Sequence, residues 1–380
     1  MKIKKLSKTI LSVLVILSML ASIPVFAEEP DKTGLSEDEI DSLCETLDEL
    51  SYEEYGNYYY NDAGYLVINI LDSPEQTEAV NRLLSTVQVH LNTGVILQTV
   101  RYSFQELLDA ADILSENWES IGIYGMYPES VDNKLHIGLP EISEENRAKI
   151  ESLVPADMIE YYVQEGPLTV ITDESSENRA ATNGVTPRAN MNLNPGDYFP
   201  SGNTGTFGFG CYYNGNYGYL TAAHVVGVNT TVFVDGYNFG TCTVSLYNET
   251  QDIAFVKRYD ATRGMTNTTP DGHTVPLGSY KRPARFTDTY LYGDYSGYQT
   301  GEVRTQYYEG DIDEMDGSKF HVKDMMLITN PASKGDSGGP VWCDAGPIGI
   351  VKASVPTTQG NYCIVMPLAS ATQFSSLRTF

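Results

Sequence analysis

Hydrophobic and polar positions follow three different patterns along this chain. Residues Ile10 to about Val25 form one largely apolar run. From 28 to about 62 the chain is acidic and polar with a tyrosine-rich patch, Tyr52 to Tyr60, which predicts a helical or flexible leader. From Gly64 apolar positions recur at alternating periods. Strands are predicted over Tyr65–Leu71, Gly94–Tyr102, Asn133–Leu139 and Met158–Val163. Helices are predicted over Pro74–Leu84, Phe104–Trp118 and Ser143–Leu153, the last opened by a serine cap with acidic residues in its first turn. This alternation predicts a small α+β domain over about 64–165. Residues 173–188, rich in Ser, Glu, Asn, Thr and Ala, read as a linker.

Beyond the linker, Gly, Asn, Tyr and Thr punctuate short apolar runs. One set covers Thr206–Tyr213, Tyr217–Ala222, Thr231–Val234, Thr241–Leu246 and Ile253–Lys257. A second covers Tyr290–Tyr292, Gly301–Gln306, Met325–Thr329, Gly339–Trp342, Ile348–Ala353 and Tyr362–Met366. That spacing predicts an all-β region over 189–380. No internal repeat is evident.

Charge and cysteine usage sharpen this division. Lys2, Lys4, Lys5 and Lys8 precede the first apolar run, and Val25-Phe26-Ala27 offers a small-residue cleavage site, so residues 1–27 read as a secretory signal peptide. Secretion to the extracellular side is the corresponding expectation. Residues 28–188 carry 8 Lys/Arg against 33 Asp/Glu, and residues 189–380 carry 12 against 17, so nearly all the acidity is N-terminal. Such a chain is a poor match for nucleic acid or an anionic membrane. Cys211, Cys242, Cys343 and Cys363 lie in the C-terminal half and Cys44 in the acidic segment. An even count in a secreted domain predicts two disulfides, with three pairings open. The cysteines lack C-x-x-C spacing for zinc, and the acidic stretch Glu309–Gly317 lacks EF-hand spacing, so it reads as a solvated loop. No metal or other cofactor is expected.

The most specific chemistry lies in Gly335-Asp336-Ser337-Gly338-Gly339-Pro340. A serine on a glycine-flanked turn can act as a nucleophile if a base takes its proton and a third group orients the base. The amides of Gly335 and Ser337 could stabilise a developing oxyanion. All five histidines, His90, His136, His224, His273 and His321, precede Ser337. That order excludes the α/β-hydrolase arrangement of serine, acid, then histidine, and satisfies histidine, acid, then serine. His224, in Leu220-Thr221-Ala222-Ala223-His224, is the candidate base; His273 and His321 read as surface residues. Asp252, opening the apolar run Asp252–Val256, is the candidate acid, ahead of Asp235, Asp260, Asp271, Asp288 and Asp294 in turn-like contexts.

These segments together resemble the chymotrypsin-like serine endopeptidases, most closely the secreted bacterial streptogrisin and α-lytic protease type. Tyr292–Val303 resembles the glycine-spaced strand that opens the second barrel in that branch. The resemblance covers roughly Asn194 to the C-terminus. It implies two six-stranded antiparallel Greek-key barrels with the site in the cleft between them, and a preceding pro-domain that assists folding and blocks the site in cis. Cleavage near Arg188, or at Arg179, would release the catalytic part. Pairings Cys211–Cys242 and Cys343–Cys363 would each stay within one barrel. By the same resemblance Gly349–Ser354 pairs with the substrate backbone, and the specificity pocket lies between Pro331, Ala332, Ser333, Lys334 and Lys352, Ala353, Ser354. Pro331 stands where basic-selective members carry aspartate, which points to a small or medium apolar residue before the scissile bond, with Lys334 or Lys352 as a possible attraction for an acidic one. Relatives usually carry serine where Lys352 falls, and Leu291 replaces an arginine that pairs with the aspartate before the serine. Asp336 must therefore find other partners, such as backbone amides. The expected protein is a monomeric peptide hydrolase acting on proteins or peptides; the competing class is a non-catalytic binding protein on the same scaffold.

Overall fold

A computed structural model describes most of residues 50–169 and 193–371, with Arg378, Thr379 and a few positions between 39 and 47. The signal peptide, the linker 173–188, Arg179, Arg188, Cys44, Asp235 and Asp260 lie outside the described residues.

The N-terminal region contains two units of the same topology. In the first, β1 (Tyr55–Tyr60) pairs antiparallel with β2 (Leu66–Leu71), and β2 pairs parallel with β3 (Val95–Val100), the two joined across α1 (Glu78–Val87). In the second, β4 (Gly125–Glu129) pairs antiparallel with β5 (Lys134–Leu139), and β5 pairs parallel with β6 (Ile159–Val163). Between β5 and β6 lies α4 (Glu144–Glu151). Helices α2 (Phe104–Ser115) and α3 (Trp118–Ile121) connect the units. Ser103 and Glu106 close a capping box on α2, and Ser143 caps α4 as its sequence predicts. A repeat is thus present in topology although none is readable in sequence. The tyrosine-rich patch is a strand, not a leader: Tyr55, Tyr58 and Tyr59 are buried in it.

The C-terminal region follows the predicted strands closely. Short β8 (Tyr198–Phe199) and β9 (Gly205–Thr206) pair with each other. A six-stranded sheet then contains β10 (Gly210–Tyr213), β11 (Asn216–Thr221), β12 (Thr231–Val234), β13 (Tyr237–Asn248), β14 (Gln251–Arg258) and the C-terminal β21 (Arg378–Thr379), in the order β12-β13-β14-β11-β10-β21. A larger sheet contains β15 (Asp288–Gly293), β16 (Gly297–Asp313), β17 (Lys319–Ile328), β18 (Pro340–Cys343), β19 (Gly346–Thr357) and β20 (Gly360–Pro367). It continues through β16 into β4-β5-β6, giving ten strands, and β7 (Leu168–Thr169) joins it between β16 and β19.

This arrangement corrects the expected pair of six-stranded barrels. The chain is a mixed α/β fold with four helices of full described extent. Its first C-terminal sheet is open, with β12 and β21 as edges, and its second is shared with the N-terminal region. The sharing of the second sheet follows from the length of β16. Its 17 residues outrun the strands of its own region, and the surplus edge pairs with β4 through Glu309↔Met126 and Gly310↔Gly125. An unpaired strand edge is a template for another strand, and here the chain supplies that strand itself. The stretch 309–313 is accordingly strand and not the solvated loop expected from its carboxylates; 314–318 lie outside the described residues.

The expected disulfides are also corrected: Cys211, Cys242, Cys343 and Cys363 are buried free thiols. Strands β10 and β13 are separated by β11 and β14, a span of about 14 Å at ordinary strand spacing, beyond the reach of a disulfide. Cys343 sits opposite Gly346 at one end of β19 and Cys363 opposite Ser354 farther along it. One apolar cluster joins the two C-terminal sheets, with Leu220, Ile253 and Phe255 from the first against Ile350, Ile364 and Met366 from the second. The candidate site lies beside this seam.

Candidate active site

Pairing of β11 with β14 sets the first half of the site. Tyr219↔Val256, Leu220↔Phe255 and Thr221↔Ala254 are opposite one another. The chain then leaves β11 in a tight turn, with Val225 N donating to Ala222 O at 3.2 Å and Val226 N to Ala223 O at 3.2 Å. Ala222 and Ala223 are buried, so only small side chains let this turn sit against the sheet. The turn carries His224 back beside Asp252, near the start of β14. His224 Nδ1 lies 2.6 Å from Asp252 Oδ2, and the His224 amide donates to Asp252 Oδ1 at 3.0 Å. A carboxylate only accepts, so Nδ1 carries the proton and Nε2 presents its lone pair. Asp252 is fully buried. Burial opposes its ionisation, but the charges of His224 and Lys352 and the hydrogen bonds from His224 outweigh that and hold the carboxyl far below the usual range.

The glycine-flanked serine forms the second half. Gly335 and Gly338 have φ of 99° and 87°, a left-handed conformation that glycine adopts without a Cβ penalty. A Cβ on Gly338 would also press on the Ala222 amide at 2.8 Å, so only glycine brings this turn against the residue two before His224. Thr206 ties the halves together. Its amide donates to Ser337 O at 2.8 Å, its hydroxyl donates to Gly335 O at 2.7 Å, and its carbonyl accepts from Thr221 Oγ1 at 2.9 Å. From the other side, Gly338 N donates to Val351 O at 2.8 Å.

Asp336 takes the backbone-amide solution. Its carboxylate accepts from the amides of Tyr295 at 3.0 Å, Ser296 at 3.1 Å and Ser333 at 2.7 Å, and from Ser296 Oγ at 2.6 Å. Burial raises its pKa, and these donors pull against that rise.

The structure thus brings His224 and Asp252 into contact and seats the Ser337 turn beside them. Of the expected pocket residues, Pro331 and Lys334 are exposed, Ser333 is half-buried, and Ala332, Lys352, Ala353 and Ser354 are buried. Lys352 turns to the acid: its ammonium lies 3.0 Å from Asp252 Oδ2. Ser354 sits opposite Thr169 of β7. Sequence reasoning missed Thr206 and Ser296 as supports. No short motif marks either, because each acts through partners distant in the chain. His321, expected at the surface, is largely buried between Glu309 at 2.7 Å and Asp311 at 2.9 Å, with Trp118 stacked edge-on at 4.4 Å. His273 is exposed, as expected, and stacks on Tyr298 at 3.7 Å.

Residues 199–375 match the Trypsin family. This part of the chain is a trypsin-type serine-protease domain. It is classified with the serine endopeptidases, and a proteolytic function in general follows. No curated protein matches the sequence. Among solved structures, the chain is similar to Thermobifida fusca protease A at 20% identity, TM-score 0.41, covering 49% of this chain and 96% of that one. It is similar to the Nocardiopsis protease NAPase at 19% identity, TM-score 0.43, covering 49% and 99%. It is also similar to Cellulomonas bogoriensis chymotrypsin at 21% identity, TM-score 0.38, covering 46% and 90%. At these identities no subtype is fixed.

Proposed function

We propose that residues 189–380 hydrolyse peptide bonds through His224, Asp252 and Ser337, by way of an acyl-enzyme. The observation that carries this is Asp252, buried and ionised, with both oxygens on His224. With Nδ1–H held by Asp252, Nε2 of His224 is the base that takes the Ser337 proton as its hydroxyl attacks a peptide carbonyl. The Gly335 and Ser337 amides then stabilise the oxyanion. His224 returns the proton to the leaving amine, and water repeats the cycle on the acyl-enzyme.

On this reading residues 1–27 direct secretion to the extracellular side, and residues 28–188 are a pro-region acting in cis and removed near Arg188. Two features support the pro-region reading. Strands β4-β5-β6 extend the catalytic region's own sheet, and Thr169 of β7 pairs at Ser354, on the strand expected to hold substrate backbone. The Tyr292–Val303 segment supports placement in the secreted bacterial branch.

The test compares the secreted wild type with Ser337→Ala. Labelling by a fluorophosphonate and cleavage of casein are expected only in wild type, with a mature N-terminus near residue 189. If wild type neither labels nor cleaves casein, the triad is not functional and the binding-protein reading takes its place. An N-terminus at Glu28 in active enzyme removes the pro-region reading alone.

A further inference from the structure

Lys352 is a fully buried cation that the mechanism above does not use, 1% exposed. It reaches its position through a β-bulge. Val351 faces Val365 and Ala353 faces Ile364, so β19 carries one extra residue there, Lys352. Bulges re-aim side chains, and this one points the ammonium at the acid. Lys352 Nζ lies 3.0 Å from Asp252 Oδ2, the same oxygen that His224 Nδ1 reaches at 2.6 Å. The two nitrogens are therefore less than about 6 Å apart, close enough for a strong charge–charge interaction away from bulk water. The ammonium lies over two rings: Nζ is 4.7 Å from the Tyr247 centroid and 5.5 Å from that of Phe320, and these rings stack at 4.8 Å.

The structure assigns Lys352 as a positioning residue of the proposed triad, holding the Asp252 carboxylate in place and extending activity to lower pH by opposing proton uptake on the His224 ring. This rests on the reading of His224, Asp252 and Ser337 above. Every proton gained by the imidazole, from Ser337 during the reaction or from acid medium, adds a cation beside the ammonium. Repulsion makes idle protonation in acid harder, while Asp252 still steadies the imidazolium when it forms. The titratable groups facing Lys352 are Asp252 on β14, His224 on the turn after β11 and the Tyr247 phenol on β13. On β17 the facing residue is the uncharged Phe320, and the next one, His321, is engaged by Glu309 and Asp311.

The experiment replaces Lys352 by three neutral residues of different size, Lys352→Met, Lys352→Gln and Lys352→Ser, and by the cation in Lys352→Arg. The rate of fluorophosphonate inactivation is followed from pH 4 to 9. The neutral variants are expected to show the acidic limb displaced upward by about one pH unit or more, and Lys352→Arg to lie near wild type. A purely structural role would lower the rate at all pH values and leave the limb in place. That result in the neutral variants that fold overturns the proposal. Ring titration of His224 by nuclear magnetic resonance in a Ser337→Ala background gives the same comparison without activity. If no form reacts with fluorophosphonate, the triad reading fails, and the titration still decides the role of Lys352.

Discussion

Replacing His321 tests whether the shared sheet is held by the charges at its junction. The imidazole lies between Glu309 and Asp311, donors to both at 2.7 and 2.9 Å when protonated, and against Trp118 of the N-terminal region. Lys323 adds a weaker pair to Glu309 at 3.6 Å. Burial alone would lower the His321 pKa, but the hydrogen bonds and charges of the two carboxylates outweigh it and raise it from 6.5 to about 9. A raised pKa on a base means the folded state binds the proton more tightly than the unfolded chain. The stabilisation is therefore complete below pH 6.5 and is lost as pH rises through 9. At 1.36 kcal/mol per pH unit the shift corresponds to about 3 kcal/mol. The assay is urea unfolding of the Ser337→Ala chain, followed by tryptophan fluorescence from pH 6 to 10, beside the same chain carrying His321→Gln. The single-variant chain should lose about 3 kcal/mol across that window. The His321→Gln chain should start lower at pH 6 and lack this slope. Parallel pH curves for the two would refute the argument, because all other titrating groups are common to both.

Gly293→Ala would place a Cβ onto the Asp336 carboxylate; it is expected to cost about 2 kcal/mol or more and to abolish fluorophosphonate labelling, since Asp336 adjoins Ser337. Native labelling in a stable variant would contradict the packing described. Thiol titration in denaturant without reductant should find at least the four thiols Cys211, Cys242, Cys343 and Cys363, and dithiothreitol should leave the melting temperature unchanged; a drop on reduction would restore the disulfide expectation.

Strand positions in the C-terminal region are legible because turn residues bracket short apolar runs: Thr231–Val234 is a strand to the residue. The His224 and Asp252 contact was legible for a related reason, since both sit at the ends of adjoining strands and motif context marks each end. What escaped notice depends on partners distant in sequence. Glu309–Asp313 looks like a solvated acidic run until His321 and Lys323 on β17 face it and Ile312 is fully buried. Lys352 looks like a pocket edge until a single-residue bulge redirects it. Even cysteine number suggests bridges, but strand order, which places β11 and β14 between Cys211 and Cys242, carries no signature in spacing.

The junction also pairs a buried acidic residue of the N-terminal region with two arginines of the C-terminal one. Glu129 on β4 is 3% exposed, lying 3.1 Å from Arg285 and 3.5 Å from Arg304 of the C-terminal region. A buried carboxylate between two guanidiniums is costly to separate from either. Asn57 donates to Gln306 at 2.8 Å, and the Tyr52 and Tyr307 hydroxyls meet at 2.9 Å. Backbone pairing between β4 and β16 is short by comparison, with only two opposed pairs. Cutting the linker would therefore leave these side-chain contacts intact, and cleavage alone would not free residues 189–380. On the proposed function, release requires that Glu129, Asn57 and Tyr52 be withdrawn from Arg285, Arg304, Gln306 and Tyr307.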